Sequence, residues 1–374
     1  MRVLCTCWPA LGHFHVMVPL ARALASAGHE VAFATAAAFG PYVRQVGFEV
    51  FPAGPSEAEA VAAFGSPTSS PQDPELRRRR FVARAEAHLR DVLPLLANWR
   101  PQVLMHTELE MSGPVAAALT GIPSINHGLG IGLPPTNAGP LWRASGLEPP
   151  PYSGMYQNLY LDIVPPSLAT EHALGLPNRQ LLQSIPFDDP GDQPDPPWLA
   201  GVGSRPTVYV TLGTVYNNAP AVFSAILAGL RDEPVELIVT LGHSGEPADF
   251  GPQPANVHLE RYVPQSRLLP LCDVVVSHSG LGTVLAAIRN SLPILALPQG
   301  APSQDRIADA CVTAGCAIRL NSQDVTPERV KRAVRALLND PGYRDNVNPL
   351  RKEIEAMPRP DEVVPVIEEI STRQ

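Results

Sequence analysis

Four short stretches combine residue types and spacings that could do chemistry. The strongest runs from Val274 to Ala286, where an apolar stretch enters Ser277-His278-Ser279-Gly280-Leu281-Gly282-Thr283. A strand leading through a glycine turn into a helix gathers free backbone N–H groups and the positive end of the helix dipole at one point. That arrangement binds anions, most often phosphate. Thr283 adds a hydroxyl and His278 a ring N–H, and a purely structural turn is the competing reading. The opening Gly280-Leu281-Gly282 resembles a dinucleotide fingerprint. Leu285 stands where its third glycine belongs, however, and the next strand ends Pro298-Gln299-Gly300 with no acid for a ribose, which argues against NAD.

The second stretch is Val208 to Thr214, a strand ending in Gly213-Thr214 at the edge where open α/β sheets bind ligands. The third is Gly12-His13-Phe14-His15, read as a loop after the first strand. A histidine there can act as general base, because its ordinary pKa of about 6.5 lies near working pH; a merely exposed or structural histidine is the alternative. The fourth is His106-Thr107-Glu108-Leu109-Glu110, whose carboxylates could orient a histidine or simply favour a helix N-terminus.

Positioning these residues takes an alternation of strands and helices. In the first half, strands are predicted at 2–7, 30–35, 49–52, 103–106 and 123–126. Helices are predicted at 16–27 (closed by Gly28), 39–46, 77–98 and 111–120. Residues 53–76 and 128–157 read as long loops. A Pro/Asp/Gly segment at 186–206 reads as an extended linker. Beyond it come strands at 207–212, 236–241, 257–260, 274–277 and 294–297, with helices near 219–231, 282–290, 303–314 and 326–339, and a last short amphipathic helix at 361–370. This rhythm predicts two α/β domains, each with a parallel sheet: residues 1–185 and 207–357, joined by 186–206 and followed by 358–374.

Composition narrows the function. The chain has 374 residues, enough for two domains. Its 28 basic against 36 acidic side chains give a net charge of −8, which disfavours nonspecific nucleic-acid binding. Five cysteines, an odd number with no Cys-x-x-Cys spacing, argue against a disulfide framework or a structural zinc site, and they fit a reducing cytoplasm. Neither a signal peptide nor a membrane-spanning stretch is visible. The run Arg77 to Arg80 reads as a solvated helix face. Prolines number 43, about 11% of the chain and roughly twice ordinary usage, so some loops are stiff.

Four segments together carry a resemblance over nearly the whole chain. They are Gly12-His13 with Pro19-Leu20-Ala21 and Gly28-His29-Glu30-Val31; Thr211-Leu212-Gly213-Thr214; Tyr262-Val263-Pro264-Gln265 with Leu268-Leu269-Pro270; and His278 to Thr283 followed by Pro298-Gln299-Gly300-Ala301. The chain resembles the GT-B glycosyltransferases of the family 1 type, and is most similar to bacterial members that decorate antibiotics and other secondary metabolites. The resemblance implies two Rossmann-like domains facing each other across a cleft, the first for the acceptor and the second for a nucleotide sugar, with the last helix crossing back to the first domain.

The resemblance further implies His13 as the catalytic base, with Gly12 among the donor-binding residues. Thr214, His278, Ser279, Gly280, Leu281, Gly282 and Thr283 would contact the diphosphate. Tyr262, Val263 and Gln265 would meet base and ribose, and Gln299 and Gln304 the sugar. Thr107 stands where the family often has the aspartate that partners the histidine, so Glu108 or Glu110 is the expected substitute unless the partner is absent. Pro302-Ser303 stands where the family often has Asp-Gln for hexose hydroxyls, which suggests a deoxysugar, usually carried as its dTDP form rather than UDP. The long loops suggest an apolar acceptor pocket with Phe14, Phe64, Trp142 and Met155. The expected activity is inverting and needs no metal or resident cofactor, in a monomer or homodimer. An epimerase of the same fold would need carboxylates near the diphosphate turn. A catalytically inactive partner of another transferase is the remaining alternative.

Overall fold

The structure, a computed structural model, describes residues 1–65, 74–131, 138–176, 178–188, 194–213, 219–242 and 245–372. The chain divides into two compact units. Unit 1 comprises Met1–Val164, Ala169–Ile185 and Met357–Gln374, and unit 2 comprises Pro165–Leu168 and Pro186–Ala356.

Unit 1 is built on seven strands: β1 (Arg2–Thr6), β2 (Glu30–Thr35), β3 (Glu49–Pro52), β4 (Val103–Thr107), β5 (Ser124–His127), β6 (Leu159–Asp162) and β7 (Arg179–Leu181). All pair in parallel, in the order β3-β2-β1-β4-β5-β6-β7. Parallel strands are covered on both faces, which is why the inner ones are continuous apolar runs: Val3, Leu4 and Cys5 are fully buried, as are Val103, Leu104 and Met105. The helices of this part are α1 (Leu11–Ser26), α2 (Gly40–Gln45), α3 (Glu57–Phe64), α4 (Pro74–Trp99), α5 (Ser112–Thr120), α6 (Gly139–Ala144) and α7 (Glu171–Leu174). One apolar cluster joins Leu4 and Leu104 of the sheet to Leu89, Val92 and Leu96 of α4 and Val115 of α5. Gly28 closes α1 with a φ of +87°, a conformation that L side chains rarely adopt.

Unit 2 repeats the plan with β8 (Thr207–Thr211), β9 (Glu236–Thr240), β10 (Val257–Glu260), β11 (Val274–Ser277), β12 (Ile294–Ala296) and β13 (Ala317–Arg319), in the parallel order β10-β9-β8-β11-β12-β13. Its helices are α8 (Pro220–Leu230), α9 (Gln265–Leu268), α10 (Leu281–Arg289), α11 (Pro302–Thr313), α12 (Pro327–Asn339) and α13 (Pro341–Ala356). The last helix, α14 (Pro360–Thr372), belongs to unit 1 and packs on α1. It buries Val363, Val364 and Ile367, and His29 Nε2 meets Glu368 at 2.9 Å.

Several elements differ from expectation. The helix carrying His13 starts at Leu11 rather than residue 16, so Gly12, His13, Phe14 and His15 lie in its first turns and not in a loop. Residues 53–76 hold α3, whose N-terminus is a capping box between Ser56 and Glu59. Residues 128–157 hold α6 and a 3-10 turn at Pro151–Gly154. The segment 186–206 is pinned within unit 2: Asp188 accepts from the Ser266 N–H at 2.7 Å, and Trp198 stacks on His258 at 4.2 Å. Strands β6, β7 and β13 and helix α13 are additions.

Both sheets change direction beside their first strand. In unit 1, β1 lies between β2 and β4; in unit 2, β8 lies between β9 and β11. The carboxyl ends at such a reversal are where open α/β sheets form a crevice for ligands.

Candidate functional site

At the reversal of unit 1, β1 runs through Cys7-Trp8-Pro9-Ala10 into α1, and β4 runs through Glu108-Leu109-Glu110 toward α5. His13 occupies the first turn of α1, half-buried, and Thr107 is the last residue of β4. His13 Nδ1 and Thr107 Oγ1 are 2.9 Å apart. The imidazole stacks on Trp8, with ring centroids 5.9 Å apart and planes 15° from parallel. Burial first, and then the Arg84 guanidinium, push the His13 pKa down to about 4, while Glu110 opposes them. The ring is therefore neutral at neutral pH. Gly12 is exposed, and a methyl group there would meet nothing within 4 Å.

The expected carboxylate partners are a correction. Neither Glu108 nor Glu110 bonds to His13. Glu110 lies in the turn before α5, where its oxygens accept from the N–H groups of Ser112 and Gly113 at 2.9 Å each and from the Thr6 hydroxyl at 2.7 Å. Burial pushes its carboxyl up; His88, Ser112, His106 and Thr6 outweigh that and hold it below the usual range. Glu110 thus reaches His13 only through space. Glu108 accepts from the N–H groups of Leu129 and Gly130 and from the Tyr156 hydroxyl, and burial leaves its carboxyl above the usual range despite those bonds.

Three of the expected acceptor contacts are also corrected. Phe14 is fully buried, edge-on to Phe33 at 4.9 Å, because it faces inward from α1. Trp142 and Met155 belong to the core of unit 1, with the Trp142 Nε1–H donating to the Ser153 carbonyl at 3.0 Å. Phe64, half-buried at the end of α3, instead lines a small hollow with Trp8, Phe81 and Arg84. Trp8 and Arg84 lie outside the motifs that the sequence marks. An aromatic residue two positions beyond a strand's carboxyl end is the signal that could have found the first.

At the reversal of unit 2, β11 leads through His278-Ser279-Gly280 into α10. The N–H groups of Leu281, Gly282 and Thr283 precede the first intrahelical bond, from the Val284 N–H to the Gly280 carbonyl at 3.0 Å, so this first turn offers donors. Leu281 is buried and can offer only its backbone, whereas Gly282 is exposed with open space around its Cα. The other glycines of the motif serve His278: a Cβ at Gly280 would stand 2.5 Å from its Nε2, and one at Gly213 2.6 Å from its Cε1. Burial pushes the His278 pKa down to about 4, and its Nδ1 has no hydrogen-bond partner among the described residues. Ser279 takes a left-handed φ of +66°, with its hydroxyl buried. Thr214 lies outside the described residues.

Gln265 Nε2 approaches Thr283 Oγ1 at 3.3 Å and so ties α9 to the first turn of α10. Tyr262 is half-buried, and Val263 is buried and presents no side chain to solvent. Gln304 is buried too: its Oε1 accepts from the Gln299 N–H at 2.7 Å, and the Gln299 amide donates to the Leu297 carbonyl at 2.7 Å. Both glutamines thus shape the turn between β12 and α11. Among the described residues no group of three or more His, Cys, Asp and Glu is placed to hold a metal ion, and no helix is long and apolar enough to cross a membrane.

Two adjoining sequence families match the chain: Erythromycin biosynthesis protein CIII-like, N-terminal domain, over residues 22–213, and its C-terminal domain over residues 224–370. The chain belongs to this family of glycosyltransferases. L-demethylnoviosyl transferase of Streptomyces niveus is 30% identical over 389 residues, 96% of each chain. 4'-Demethylrebeccamycin synthase of Lentzea aerocolonigenes is 29% identical over 422 residues, 98% of this chain and 99% of the relative. The solved structure of spinosyn rhamnosyltransferase SpnG, complexed with thymidine diphosphate, is similar at 27% identity and a TM-score of 0.82, over 98% of this chain and all of the other. The fold is that of the GT-B glycosyltransferases, and the protein is a glycosyltransferase of secondary metabolism.

Proposed function

We propose that this EryCIII-like enzyme transfers a deoxysugar from a dTDP-sugar to a hydroxyl of a natural-product aglycone, with inversion at the anomeric carbon. The observation that carries the reading is the placement of His13 at a sheet reversal, its Nδ1 2.9 Å from Thr107 Oγ1. With Thr107 Oγ1 accepting from Nδ1–H, Nε2 is unprotonated and free to take a proton. As the acceptor oxygen bonds to the anomeric carbon, its proton passes to Nε2 and the bond from that carbon to the diphosphate oxygen breaks. The imidazolium gains no directly bonded carboxylate; Glu110 supplies the nearby negative charge.

The departing diphosphate collects charge where unit 2 offers the N–H groups of Leu281, Gly282 and Thr283, the Thr283 hydroxyl and the His278 ring. Thr214, Ser279, Tyr262, Val263 and Gln265 complete the proposed nucleotide site, and Gln299 and Gln304 shape the sugar's surroundings. Thymidine diphosphate in the related SpnG structure supports the choice of nucleotide.

Pro302 and Ser303 lack the carboxylate that would pair with hexose hydroxyls. A polar group left unpaired in a closed site costs about 1–3 kcal/mol, which favours donors with fewer hydroxyls. The test compares a dTDP-deoxyhexose with UDP-glucose on one acceptor. The dTDP-deoxyhexose is expected to have the higher kcat/KM, and a higher value for UDP-glucose overturns the donor assignment. Proton NMR of the product checks inversion through the configuration of the new glycosidic bond.

A further inference from the structure

Unit 2 holds two thiols that the transfer reaction does not use. Helix α11 ends at Thr313, and β13, the edge strand of its sheet, begins at Ala317. The turn between them carries two backbone bonds. The Cys316 N–H donates to the Cys311 carbonyl at 3.1 Å, and the Gly315 N–H donates to the Val312 carbonyl at 2.9 Å. With Gly315 at a φ of +71° between them, this is a Schellman motif, which brings the side chains at its two ends together. Here both ends are cysteines. A backbone hydrogen bond keeps the Cα atoms of its two residues within about 7 Å, the limit of a disulfide's reach. The side chains meet as well. Cys316 Sγ donates to the Cys311 carbonyl at 3.2 Å. A hydrogen bond between the thiols holds Cys316 below its ordinary range although burial opposes it, and the same bond with burial pushes Cys311 up. Burial pushes up the other three thiols, Cys5, Cys7 and Cys272. Cys311 and Cys316 are themselves buried, but the chain between them is at the surface, with Val312 42% exposed and Thr313 exposed too. Fraying of one helix turn at a sheet edge therefore opens the pair to solvent without unfolding the core.

We propose that Cys311 and Cys316 form a modification site for a peroxide, with Cys316 the thiol that reacts and Cys311 the thiol that resolves it. The Cys316 thiolate attacks one peroxide oxygen and the O–O bond breaks. Protonation of the departing oxygen gives water and leaves a sulfenic acid on Cys316. Cys311 then loses its proton and attacks the Cys316 sulfur, the S–O bond breaks, and a second water leaves. The two thiols have given up two electrons and two protons, and the peroxide has become two waters. Because Cys311 is in place, oxidation ends in a disulfide, which thiols reverse, and not in a sulfinic acid, which they do not. The site lies at the opposite end of α11 from Gln304, so dTDP binding is expected to be the same in both redox states.

The test treats the full, native chain with hydrogen peroxide and follows its mass. The wild-type protein is expected to lose two hydrogens and gain no oxygen, with the new bond mapped between residues 311 and 316 and reversed by dithiothreitol. Cys311→Ser is expected to gain oxygen on Cys316 instead, with its sulfenic acid trapped by dimedone. Alkylation of the reduced wild-type protein by iodoacetamide keeps the test open if that variant fails to fold. Cys316 should be labelled roughly tenfold or more faster than Cys5, Cys7 or Cys272, as its lower thiol pKa and surface turn predict. A native chain that forms no bond, a bond between other cysteines, a folded Cys311→Ser protein that takes up no oxygen, or labelling of Cys316 no faster than of the other three overturns the assignment.

Discussion

The two sheet reversals share a topology and differ in chemistry. In unit 1 the crevice end of β1 and β4 is furnished with side chains: His13, Thr107 and Glu110, with Trp8 and Arg84 beside them. In unit 2 the matching end of β8 and β11 is furnished mostly with backbone, the first turn of α10 and two glycines that make room for one neutral histidine. In the proposed reaction the same frame would serve two opposite electrostatic tasks. A group that must accept a proton needs a side chain whose pKa its surroundings can tune. A group that must receive an anion needs donors that carry no proton to lose and need no reorientation, and a helix terminus supplies them.

The largest expected effect would come from breaking the first region alone. His13→Ala is expected to lower kcat by about 10² or more, with the calorimetric Kd for dTDP unchanged. Near-normal turnover would remove the side-chain character assigned to this end. A smaller effect is expected in the second region from Gly280→Ala, whose methyl group must displace the His278 ring. dTDP binding should weaken by roughly tenfold, about 1.4 kcal/mol. Gly282→Ala is the companion variant, because its methyl group meets no protein atom within 4 Å. It should not lower Tm, since Ala suits an exposed helical position better than Gly, and it should weaken dTDP only through direct contact with the ligand, so equal affinity in that variant would place the diphosphate away from this turn.

The two regions also respond differently to pH in the proposed reaction. Since His13 stays neutral down to about pH 4, the acid limb of kcat/KM should lie well below pH 6. Thr107→Asp places a carboxylate at Nδ1, favours the imidazolium and should move that limb upward; an unmoved limb would separate Thr107 from the base. A still gentler effect concerns stability. His13, His127 and His278 each have a pKa lowered from 6.5 to about 4 by burial. At these three rings the unfolded chain therefore binds more protons than the folded one below about pH 6.5, whereas the Glu108 and Asp162 carboxyls, pushed up by burial, act in the opposite direction. The rings' contribution is intact above that pH and is lost progressively as pH falls toward 4, which urea titrations at stepped pH would register as a falling midpoint. His127→Gln removes one of these rings and should make the fall shallower; an equal fall in that variant would contradict the burial assigned to His127.

Much of the frame was legible because buried parallel strands write themselves as apolar runs. Strands β10 and β11 match their expected bounds, and β8 and β9 end one residue early. Strand β7 was invisible because Arg179-Gln180-Leu181 carries no apolar run, and β13 because Ala317-Ile318-Arg319 breaks its run with a charge, whereas the equally short Ile294-Leu295-Ala296 of β12 is apolar throughout. The start of α1 was misplaced for a physical reason: Ala10 caps it without a side-chain hydrogen bond, so the sequence carries no capping signal there. The partner of His13 was illegible for another. Thr107, Glu108 and Glu110 are close in sequence, but only the strand's last side chain meets the imidazole, because the turn that follows sends Glu108 toward Leu129 and Gly130 and commits Glu110 to the start of α5. Phe14, Trp142 and Met155 suggest a pocket by residue type alone, and type does not separate a core side chain from a pocket wall.

The return of α14 to unit 1 has a consequence for how the molecule is made. Unit 1 opens with the first residues and receives its last helix from the final ones, with most of unit 2 lying between them in the chain. During synthesis from the N-terminus, the apolar face of α1 that Val363, Val364 and Ile367 help to cover must wait until the whole of unit 2 has been translated. The first unit to begin folding is thus the last to finish. A chain stopped after Ala356 keeps every residue of unit 2 and leaves unit 1, where His13 sits, without its closing helix.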